Sequence, residues 1–400
     1  MTREEYYAEC LKTIGRHRCL LLEASTGYGK TKLAIDLVNH LCDTVYKGRK
    51  VRMLLLVAKI VHKGEWQREF DKWGGIKADE VVAECYESLR KHTGETFDIC
   101  VMDECHHIAS ETRMELLKKV RFTYCIGLSA TIPYEVKQFF KWNYRAQVIK
   151  CDIVEAIEDE VLPEPQILLL PLKLDNTQYT ETWEVNPKAP GMVYEDEYRN
   201  KWQYIKQRKH AVLRCTQKQK SNELNQEVLS LKNRYMATRN EGVKNIWLQK
   251  CGLRLEFYAT SKIPVVKEIL MKLKNFRTIT FCKTIEHCEQ LGKNCIHSKN
   301  GKMVMEYYND FNTKKIKHIT AVNMLNEGAN LVDCKYGIFG NLSASEICMK
   351  QRQGRLLRHK EPVMIIPYYE GTREEELVQK AFEDYNKNCI KVIHSIDEII

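Results

Sequence analysis

The 400-residue sequence has no long hydrophobic run and no apolar leader. A membrane-spanning helix needs about 18 or more consecutive apolar residues. The richest stretch, VRMLLLVAKIV at 51–61, is too short for this. The first residues, MTREEYY, are charged and contain no signal core. We therefore predict a cytoplasmic protein without a membrane partner.

The sequence also lacks any Cys-x-x-Cys pair, although it contains 16 cysteines. Scattered cysteines in a chain of this length indicate reduced core thiols rather than a disulfide framework. Cys282, Cys288 and Cys295 lie close together in sequence, but their spacing matches no template for zinc or iron–sulfur ligands. We predict no metal cluster at these cysteines.

The excess of positive over negative charge is confined to one segment. Residues 198–250 contain 13 Lys or Arg and three Asp or Glu, a net charge of +10 that equals the net charge of the whole chain. Four aromatic residues are interleaved with these cations, namely Trp202, Tyr204, Tyr235 and Trp247. The segment is either a solvated helical face or an inserted element that grips phosphates, with Lys206, Arg208 and Lys209 as candidate contacts.

Short apolar runs alternate with amphipathic stretches from Arg18 to Val148, and again from Arg254 onward. Strands that alternate with helices predict an α/β fold with parallel sheets that bind ligands at the carboxyl ends of the strands. We predict two such domains, at 1–150 and 254–400. A linker and a basic, mainly helical insertion are predicted at 151–253, with an irregular excursion at 175–197.

The sequence ASTGYGKT at 24–31 lies between an apolar strand and a helical pattern. Backbone N–H groups of a glycine-rich turn can approach a polyphosphate, and the helix N-terminus adds its positive dipole end. Lys30 is expected to reach the β- and γ-phosphates of a nucleotide, and Thr31 to ligate Mg²⁺. The predicted nucleotide-binding residues of this loop are Thr26, Gly27, Tyr28, Gly29, Lys30 and Thr31.

Three later patterns place polar side chains where a nucleotide site needs them. Asp103 and Glu104 end an apolar strand, where the first carboxylate suits Mg²⁺ and the second can polarise the attacking water. Ser129 and Thr131 end another strand, and their hydroxyls are expected to bond across to the acidic strand. In QRQGRLLR, at 351–358, two arginines three residues apart are predicted on one face of a helix as arginine fingers, namely Arg355 and Arg358.

In this order and spacing, the motifs resemble those of the superfamily 2 helicases and translocases. ASTGYGKT looks like motif I, VAKIVHKGEWQREF like motif Ia, DECH like motif II, SAT like motif III, TAVNMLNEGANL like motif V and QRQGRLLR like motif VI. The combination of DECH with QRxGRxLR resembles the DExH group that includes type III restriction motor subunits and phage branch-migration helicases.

The resemblance implies two RecA-like domains that close on ATP, with nucleic acid bound across both. Lys30, Thr31, Asp103 and Glu104 carry over as the catalytic set of domain 1, and Gly328, Gln351, Arg355 and Arg358 carry over from domain 2. His106 is implied as a residue that senses the neighbouring domain rather than as a metal ligand. We predict an ATP- and Mg²⁺-dependent helicase or translocase that prefers DNA. An ATP-gated DNA clamp or annealing factor and an RNA helicase are the alternatives.

Trp66, Phe70 and Trp73 recur at helical spacing. Such a stripe is either a buried face of a helix or a platform on which bases stack. The buried face is the more frequent outcome, so we predict that these side chains belong to the core.

Overall fold

The computed structural model describes residues 2–25, 27–178, 180–185, 202–205, 210–322, 331 and 333–399. Its first sheet has six parallel strands in the order β3-β2-β4-β5-β1-β6. These strands are β1 (Cys19–Ala24), β2 (Arg52–Val57), β3 (Glu80–Cys85), β4 (Thr96–Met102), β5 (Arg121–Ser129) and β6 (Gln147–Cys151). The helices of this domain are α1 (Arg3–Arg16), α2 (Lys30–Thr44), α3 (Ile60–Lys72), α4 (Glu111–Lys118) and α5 (Tyr134–Tyr144).

The central strands of this sheet are apolar on both faces because helices cover both sides. Leu20, Leu21 and Leu22 of β1 are each 0% exposed although they point alternately to opposite faces. Short Tyr86–His92 and Cys105–Ile108 segments form 3₁₀ turns after β3 and β4. The carboxyl ends of β1, β4 and β5 therefore meet at one edge, where the phosphate loop, the acidic pair and the Ser129 turn lie.

The chain then passes through a segment that differs from the expected linker. It contains α6 (Ile153–Glu158), β7 (Gln166–Leu172), β8 (Thr180–Val185), β9 (Trp202–Ile205), β10 (His210–Cys215), α7 (Gln217–Thr238) and α8 (Glu241–Ser261). Strands β8, β10 and β9 pair as an antiparallel sheet. The prediction of an irregular excursion was wrong at β8, and the prediction of helix from residue 198 was wrong at β9 and β10. Helix begins at Gln217.

The second large sheet has seven parallel strands in the order β12-β13-β11-β14-β15-β7-β16. Its remaining strands are β11 (Thr278–Phe281), β12 (Cys295–Ile296), β13 (His318–Ala321), β14 (Tyr336–Ile338), β15 (Val363–Tyr369) and β16 (Ile390–Val392). Its helices are α9 (Ile263–Lys272), α10 (Ile285–Leu291), α11 (Gly301–Asn312), α12 (Glu346–Leu356) and α13 (Arg373–Phe382). Strand β7 thus joins this sheet although it precedes the insertion in sequence. The two parallel-sheet domains confirm the predicted fold class.

Helices α7 and α8 form an antiparallel hairpin that is anchored on the second domain by a buried ion pair. Lys262, at the end of α8, donates to Glu374 Oε1 at 2.6 Å and to the carbonyl oxygen of Pro367 at 3.0 Å. Both charged side chains are fully buried. Burial lowers the pKa of Lys262, and the Glu374 carboxylate opposes that shift. Since a buried charge is costly without its partner, this contact fixes the base of the hairpin.

Within the described residues, no helix combines the length and the apolar character that crossing a membrane would require.

Candidate nucleotide site between two sheets

The phosphate loop follows β1 and leads directly into α2. Gly27 and Gly29 have φ of +95° and +92°, a left-handed conformation that favours glycine. Gly29 is the N-cap of α2 and supplies no side-chain oxygen to the helix N-terminus. The first N–H groups of α2 therefore point toward the loop, as an anion site requires. Thr26, predicted to bind nucleotide, lies outside the described residues.

The Lys30 ammonium lies within this loop. It donates to the carbonyl oxygen of Ala24 at 2.6 Å and to that of Ser25 at 3.2 Å. Burial lowers the pKa of Lys30, and the carboxylates of Glu104 and Asp103 oppose the shift. The buried hydroxyl of Ser25 has no hydrogen-bond partner among the described residues. A cation, an orphaned hydroxyl and a helix N-terminus together fit a polyphosphate.

The Tyr28 side chain packs into the first domain. Its ring is 3% exposed and packs edge-to-face on Tyr6 of α1, with ring centroids 5.0 Å apart. Only the backbone of Tyr28 is therefore available to a nucleotide. The guanidinium of Arg3 lies against Gly29, where a Cβ atom would collide with it.

Helix α1 was missed by the sequence analysis, although a local signal marks its start. Thr2 and Glu5 form a capping box, in which the Glu5 N–H donates to the Thr2 hydroxyl at 3.2 Å and the Thr2 N–H donates to Glu5 Oε2 at 2.9 Å. A threonine followed three residues later by glutamate is the sequence signature of such a box. The first turn of α1 carries Arg3 to the phosphate loop.

Asp103 and Glu104 follow β4, one strand removed from the loop. The Asp103 N–H donates to the carbonyl oxygen of Leu56 at 2.8 Å, which continues the β2–β4 pairing beyond the strand. Burial raises the pKa of Asp103, and the adjacent Glu104 carboxylate raises it further. Glu104 has φ +48° and ψ +55°, a left-handed conformation that is costly for a residue with a Cβ atom and is concentrated at functional sites.

Ser129 joins the end of β5 to the acidic strand. Its hydroxyl lies 3.3 Å from Glu104 Oε2, 2.9 Å from His106 Nδ1 and 2.8 Å from the carbonyl oxygen of Thr131. His106 Nδ1 lies 3.4 Å from Glu104 Oε2. The Thr131 hydroxyl is buried without a hydrogen-bond partner among the described residues, and only its backbone joins the cluster. The structure thus brings Glu104, His106 and Ser129 together.

The two adjacent histidines do not form a metal site in the described part of the chain. The rings of His106 and His107 lie against each other with centroids 4.5 Å apart. In the described ranges, no group of three or more His, Cys, Asp or Glu is placed to hold a metal ion. The same finding covers the three cysteines Cys282, Cys288 and Cys295, which are buried.

The second domain contributes Gln351 and Arg355 from α12. These side chains are 2% and 4% exposed, and the Gln351 amide Nε2 has no partner among the described residues. Arg358 lies outside the helix, so the prediction of two arginines on one helical face was wrong. Helix α12 ends at Leu356, and the Arg358 N–H donates to the Leu356 carbonyl oxygen at 2.7 Å in the following turn. Gly328 lies outside the described residues.

Charges of the two domains face each other across the cleft. Burial lowers the pKa of Arg355 to about 10, the neighbouring Arg358 acts in the same direction, and Glu104 and Glu65 oppose the shift. Both arginines also contribute to the lowered pKa of Lys30. The Glu104 carboxylate therefore acts electrostatically on both Lys30 and Arg355, which come from different domains.

Glu65 is a site residue that the sequence analysis missed. It lies on α3, and burial raises its pKa to about 7, while Arg68, Arg355 and Arg358 oppose the shift. No short motif marks a glutamate in a helix as a neighbour of arginines some 290 residues later in the chain. Glu65 is thus a half-buried carboxyl group on which the arginines of the second domain act.

Comparisons with known proteins agree with this geometry. The model of the helicase conserved C-terminal domain matches residues 261–360, and that of the type III restriction enzyme res subunit matches residues 76–134. The chain is 21% identical to the DNA 3'-5' translocase XPB2 of Sulfurisphaera tokodaii over 410 residues, which cover 95% of this chain and 84% of that protein.

Two solved structures share the fold. The Hef helicase domain of Pyrococcus furiosus aligns with a TM-score of 0.53 at 14% identity, over 95% of this chain and 97% of that one. A putative HsdR subunit of a type I restriction enzyme from Vibrio vulnificus YJ016 aligns with a TM-score of 0.57 at 17% identity, over 98% of this chain and 68% of that one.

The two parallel sheets and their connecting helices define a tandem RecA-like fold. The matches to the helicase C-terminal domain and to the type III restriction res subunit support a superfamily 2 helicase or translocase with the character of the type III restriction motor subunits. It is accordingly an ATP-dependent, nucleic-acid-stimulated helicase or translocase. The resemblance inferred from the motifs is confirmed.

Proposed function

We propose that the chain is a DNA motor that hydrolyses ATP with Mg²⁺ in the cleft between its two large sheets. The observation that carries this proposal is that Lys30 and Glu104 of the first domain and Arg355 of the second lie in one cleft, where the Glu104 carboxylate opposes the lowered pKa of both cations. A triphosphate needs cations on more than one side and a carboxylate for the attacking water.

In this proposal, the N–H groups at the start of α2 and the Lys30 ammonium bind the β- and γ-phosphates. Thr31 and Asp103 are the residues that would hold Mg²⁺, which neutralises phosphate charge when it is bound. Glu104 polarises the attacking water. Ser129 and His106 hold the Glu104 side chain, since both lie within 3.4 Å of its Oε2 atom.

The second domain completes the site. Arg355 and Arg358 stabilise the negative charge that develops on the γ-phosphoryl oxygens. The Gln351 Nε2 atom, which has no hydrogen-bond partner among the described residues, would donate to the γ-phosphate or its water. Because ATP bridges α2 and α12, loss of the γ-phosphate removes contacts that hold the domains together. Opening and closing of the cleft can then move the two domains along the bound nucleic acid in steps.

DNA is the proposed polymer, because the similar protein of Sulfurisphaera tokodaii is named a DNA translocase. Contacts to the 2′-OH distinguish RNA from DNA, and sequence motifs do not encode them. An RNA helicase and an ATP-gated clamp without strand separation are thus the competing proposals. The division at 1–150, 151–253 and 254–400 and a cytoplasmic location also stay predictions.

The deciding experiment compares ATP hydrolysis by the purified chain with single-stranded DNA, duplex DNA and RNA, alongside strand displacement. We expect DNA to raise the ATPase rate and the protein to displace a strand. Nucleotide-dependent binding without displacement would favour the clamp, and stronger stimulation by RNA would favour the RNA helicase. Equal hydrolysis with and without every polynucleotide would exclude a motor.

The hairpin of α7 and α8 is the proposed accessory contact to the polymer. At its tip, Tyr235 stacks on Trp247 with centroids 5.8 Å apart. The Arg239 guanidinium and the Lys244 ammonium lie 5.7 and 5.9 Å from the centre of the Tyr235 ring. Exposed cations beside ordered aromatic rings suit a phosphate backbone. Lys206, Arg208 and Lys209, the candidates suggested by the sequence, lie outside the described residues.

Reversing the charge at Lys232, Arg234 and Arg239 together is expected to weaken DNA binding. All three side chains are exposed on the hairpin. Each lost phosphate contact reduces the slope of log K against log salt by about 0.9 on duplex DNA, so we expect the slope to flatten by about 2 to 3. Binding measured by anisotropy at several salt concentrations tests this, with ATPase activity in the absence of DNA unchanged.

The matched control reverses Lys12, Arg16 and Arg18, which are also exposed. Lys12 and Arg16 lie in α1 and Arg18 precedes β1, at the edge of the first sheet opposite the phosphate loop. The control changes the net charge equally, so an equal loss of affinity in both triple variants would mean that the hairpin has no special role.

A further inference from the structure

Trp66 makes a hydrogen bond that its place in an apolar stripe does not predict. The side chain is 3% exposed, and its indole Nε1 donates to Asp103 Oδ2 at 2.9 Å. An indole N–H can only donate, and a buried one needs an acceptor. Here the acceptor is a carboxylate at the centre of the candidate nucleotide site rather than a backbone carbonyl.

The position of Trp66 is fixed by its neighbours. Helix α3 follows β2, which pairs with β4, so the buried face of α3 lies beside the end of the acidic strand. Phe70, one turn further along, packs edge-to-face on Trp66 with centroids 5.7 Å apart. This packing restricts the rotamers of the indole, and its N–H therefore has a defined direction.

The structure also holds the backbone of Asp103 on both sides. Its N–H donates to the Leu56 carbonyl oxygen, and the Tyr86 hydroxyl donates to its carbonyl oxygen, each at 2.8 Å. The carboxylate is consequently attached to a fixed backbone and retains one main freedom, rotation of the side chain. The hydrogen bond from Trp66 restricts that rotation by holding Oδ2.

We propose that Trp66 is a positioning residue that holds Asp103 Oδ2 through its indole N–H and so presents Oδ1 to Mg²⁺. This proposal rests on the proposed function, in which Asp103 is the carboxylate that serves the metal. Groups that hydrogen-bond to metal ligands set the orientation of those ligands, and their loss costs about 10- to 100-fold in metal affinity. Trp66 therefore contributes to the site without touching nucleotide.

The test replaces Trp66 with phenylalanine in the full chain, which keeps an aromatic ring and removes the N–H. The readout is binding of a fluorescent, non-hydrolysable ATP analogue titrated with Mg²⁺. We expect the Mg²⁺ concentration for half-maximal effect to rise about 10-fold. Affinity for the analogue without Mg²⁺ should be unchanged, because the phosphate loop is intact. A purely structural role would weaken both forms of binding together.

Trp73→Phe is the matched control on the same helix. The Trp73 indole donates to Glu69 Oε2 at 2.7 Å, and its side chain is 39% exposed. Both variants therefore remove an indole N–H that donates to a carboxylate, but in Trp73→Phe the carboxylate lies away from the site. We expect its Mg²⁺ dependence to match that of the parent chain.

A double-mutant cycle with Asp103→Asn supplies a second measurement. We expect Trp66→Phe to change the Mg²⁺ dependence in the parent chain and to have no further effect once Asp103 is replaced. Trp66→His, which keeps a ring N–H, should recover part of the loss if the phenylalanine variant melts early. A folded Trp66→Phe variant with parental Mg²⁺ dependence, or additive effects in the cycle, would overturn the proposal. A parent chain that binds the analogue without any response to Mg²⁺ would overturn the proposed function as well.

Discussion

Replacing Arg355 with alanine is expected to lower the DNA-stimulated ATPase kcat by about 10³-fold or more, the range found for arginine fingers. The guanidinium lies in the cleft, where burial lowers its pKa to about 10 and where the charges of Glu104 and Glu65 reach it. A buried cation acts strongly on developing phosphoryl charge because little water screens it. Steady-state hydrolysis at saturating ATP and DNA gives the measurement.

Two companion measurements make the Arg355 result specific. The affinity for a non-hydrolysable ATP analogue should change much less than kcat, because the phosphate loop and Lys30 supply the contacts that bind the nucleotide in the ground state. Arg355→Lys keeps the charge but loses the planar, forked donor set, so it should recover only part of the rate. Thermal melting checks that the variants are folded. An alanine variant that melts like the parent and hydrolyses ATP within threefold of it would remove Arg355 from the mechanism.

The large sheets could be predicted from the sequence because their signal is local. Runs such as Leu20–Leu22 and Leu54–Leu56 are apolar on every residue, and the amphipathic helices between them have a different period. The order β3-β2-β4-β5-β1-β6 depends on contacts between distant segments, and no local pattern contains it. The same holds for β7, which precedes the insertion in sequence but pairs with β15, a strand that follows it.

The insertion shows where composition misleads. The basic and aromatic residues between 198 and 215 predict a helical segment, but β9 and β10 pair there as antiparallel strands. Strand pairing is a tertiary interaction that can override weak helical spacing. Further along, α7 and α8 agree with the prediction of helix, in a stretch that contains no proline.

Short motifs mark the candidate phosphate loop and the acidic pair, because each motif contains the residues that its chemistry needs. The partners of these residues could not be predicted from the sequence. Trp66 and Asp103 are separated by 37 positions, and the stripe that contains Trp66 has the spacing of an ordinary buried face. The prediction of core burial agrees with Trp66 and Phe70, at 3% and 5% exposed, and was wrong for Trp73. Burial was predictable there, and the hydrogen bond was not.

Replacing Glu104 with glutamine is expected to reduce the ATPase kcat by about 10³-fold while ATP binding is retained. General-base groups contribute about 10²- to 10⁴-fold to a rate. Glutamine has nearly the same shape, so the left-handed backbone and the contacts with Ser129 and His106 can persist. Its amide is a much weaker base than a carboxylate. The loss should therefore appear in single-turnover hydrolysis and not in the binding of ATP.

Lys30→Ala is expected to impair the binding of ATP and not hydrolysis alone, so it serves as the reference variant for Glu104→Gln. Its ammonium lies in the phosphate loop, 2.6 Å from the carbonyl oxygen of Ala24, and its removal takes away a cation that binds the ground state. We expect this variant to lose affinity for the ATP analogue as well as hydrolysis. If Glu104→Gln lost analogue binding as severely as Lys30→Ala, Glu104 would be a binding group. If it hydrolysed ATP at more than a third of the parental rate, the attacking water would be activated by another residue of the cleft, and Glu65, which acts on Arg355, would be the next carboxylate to test.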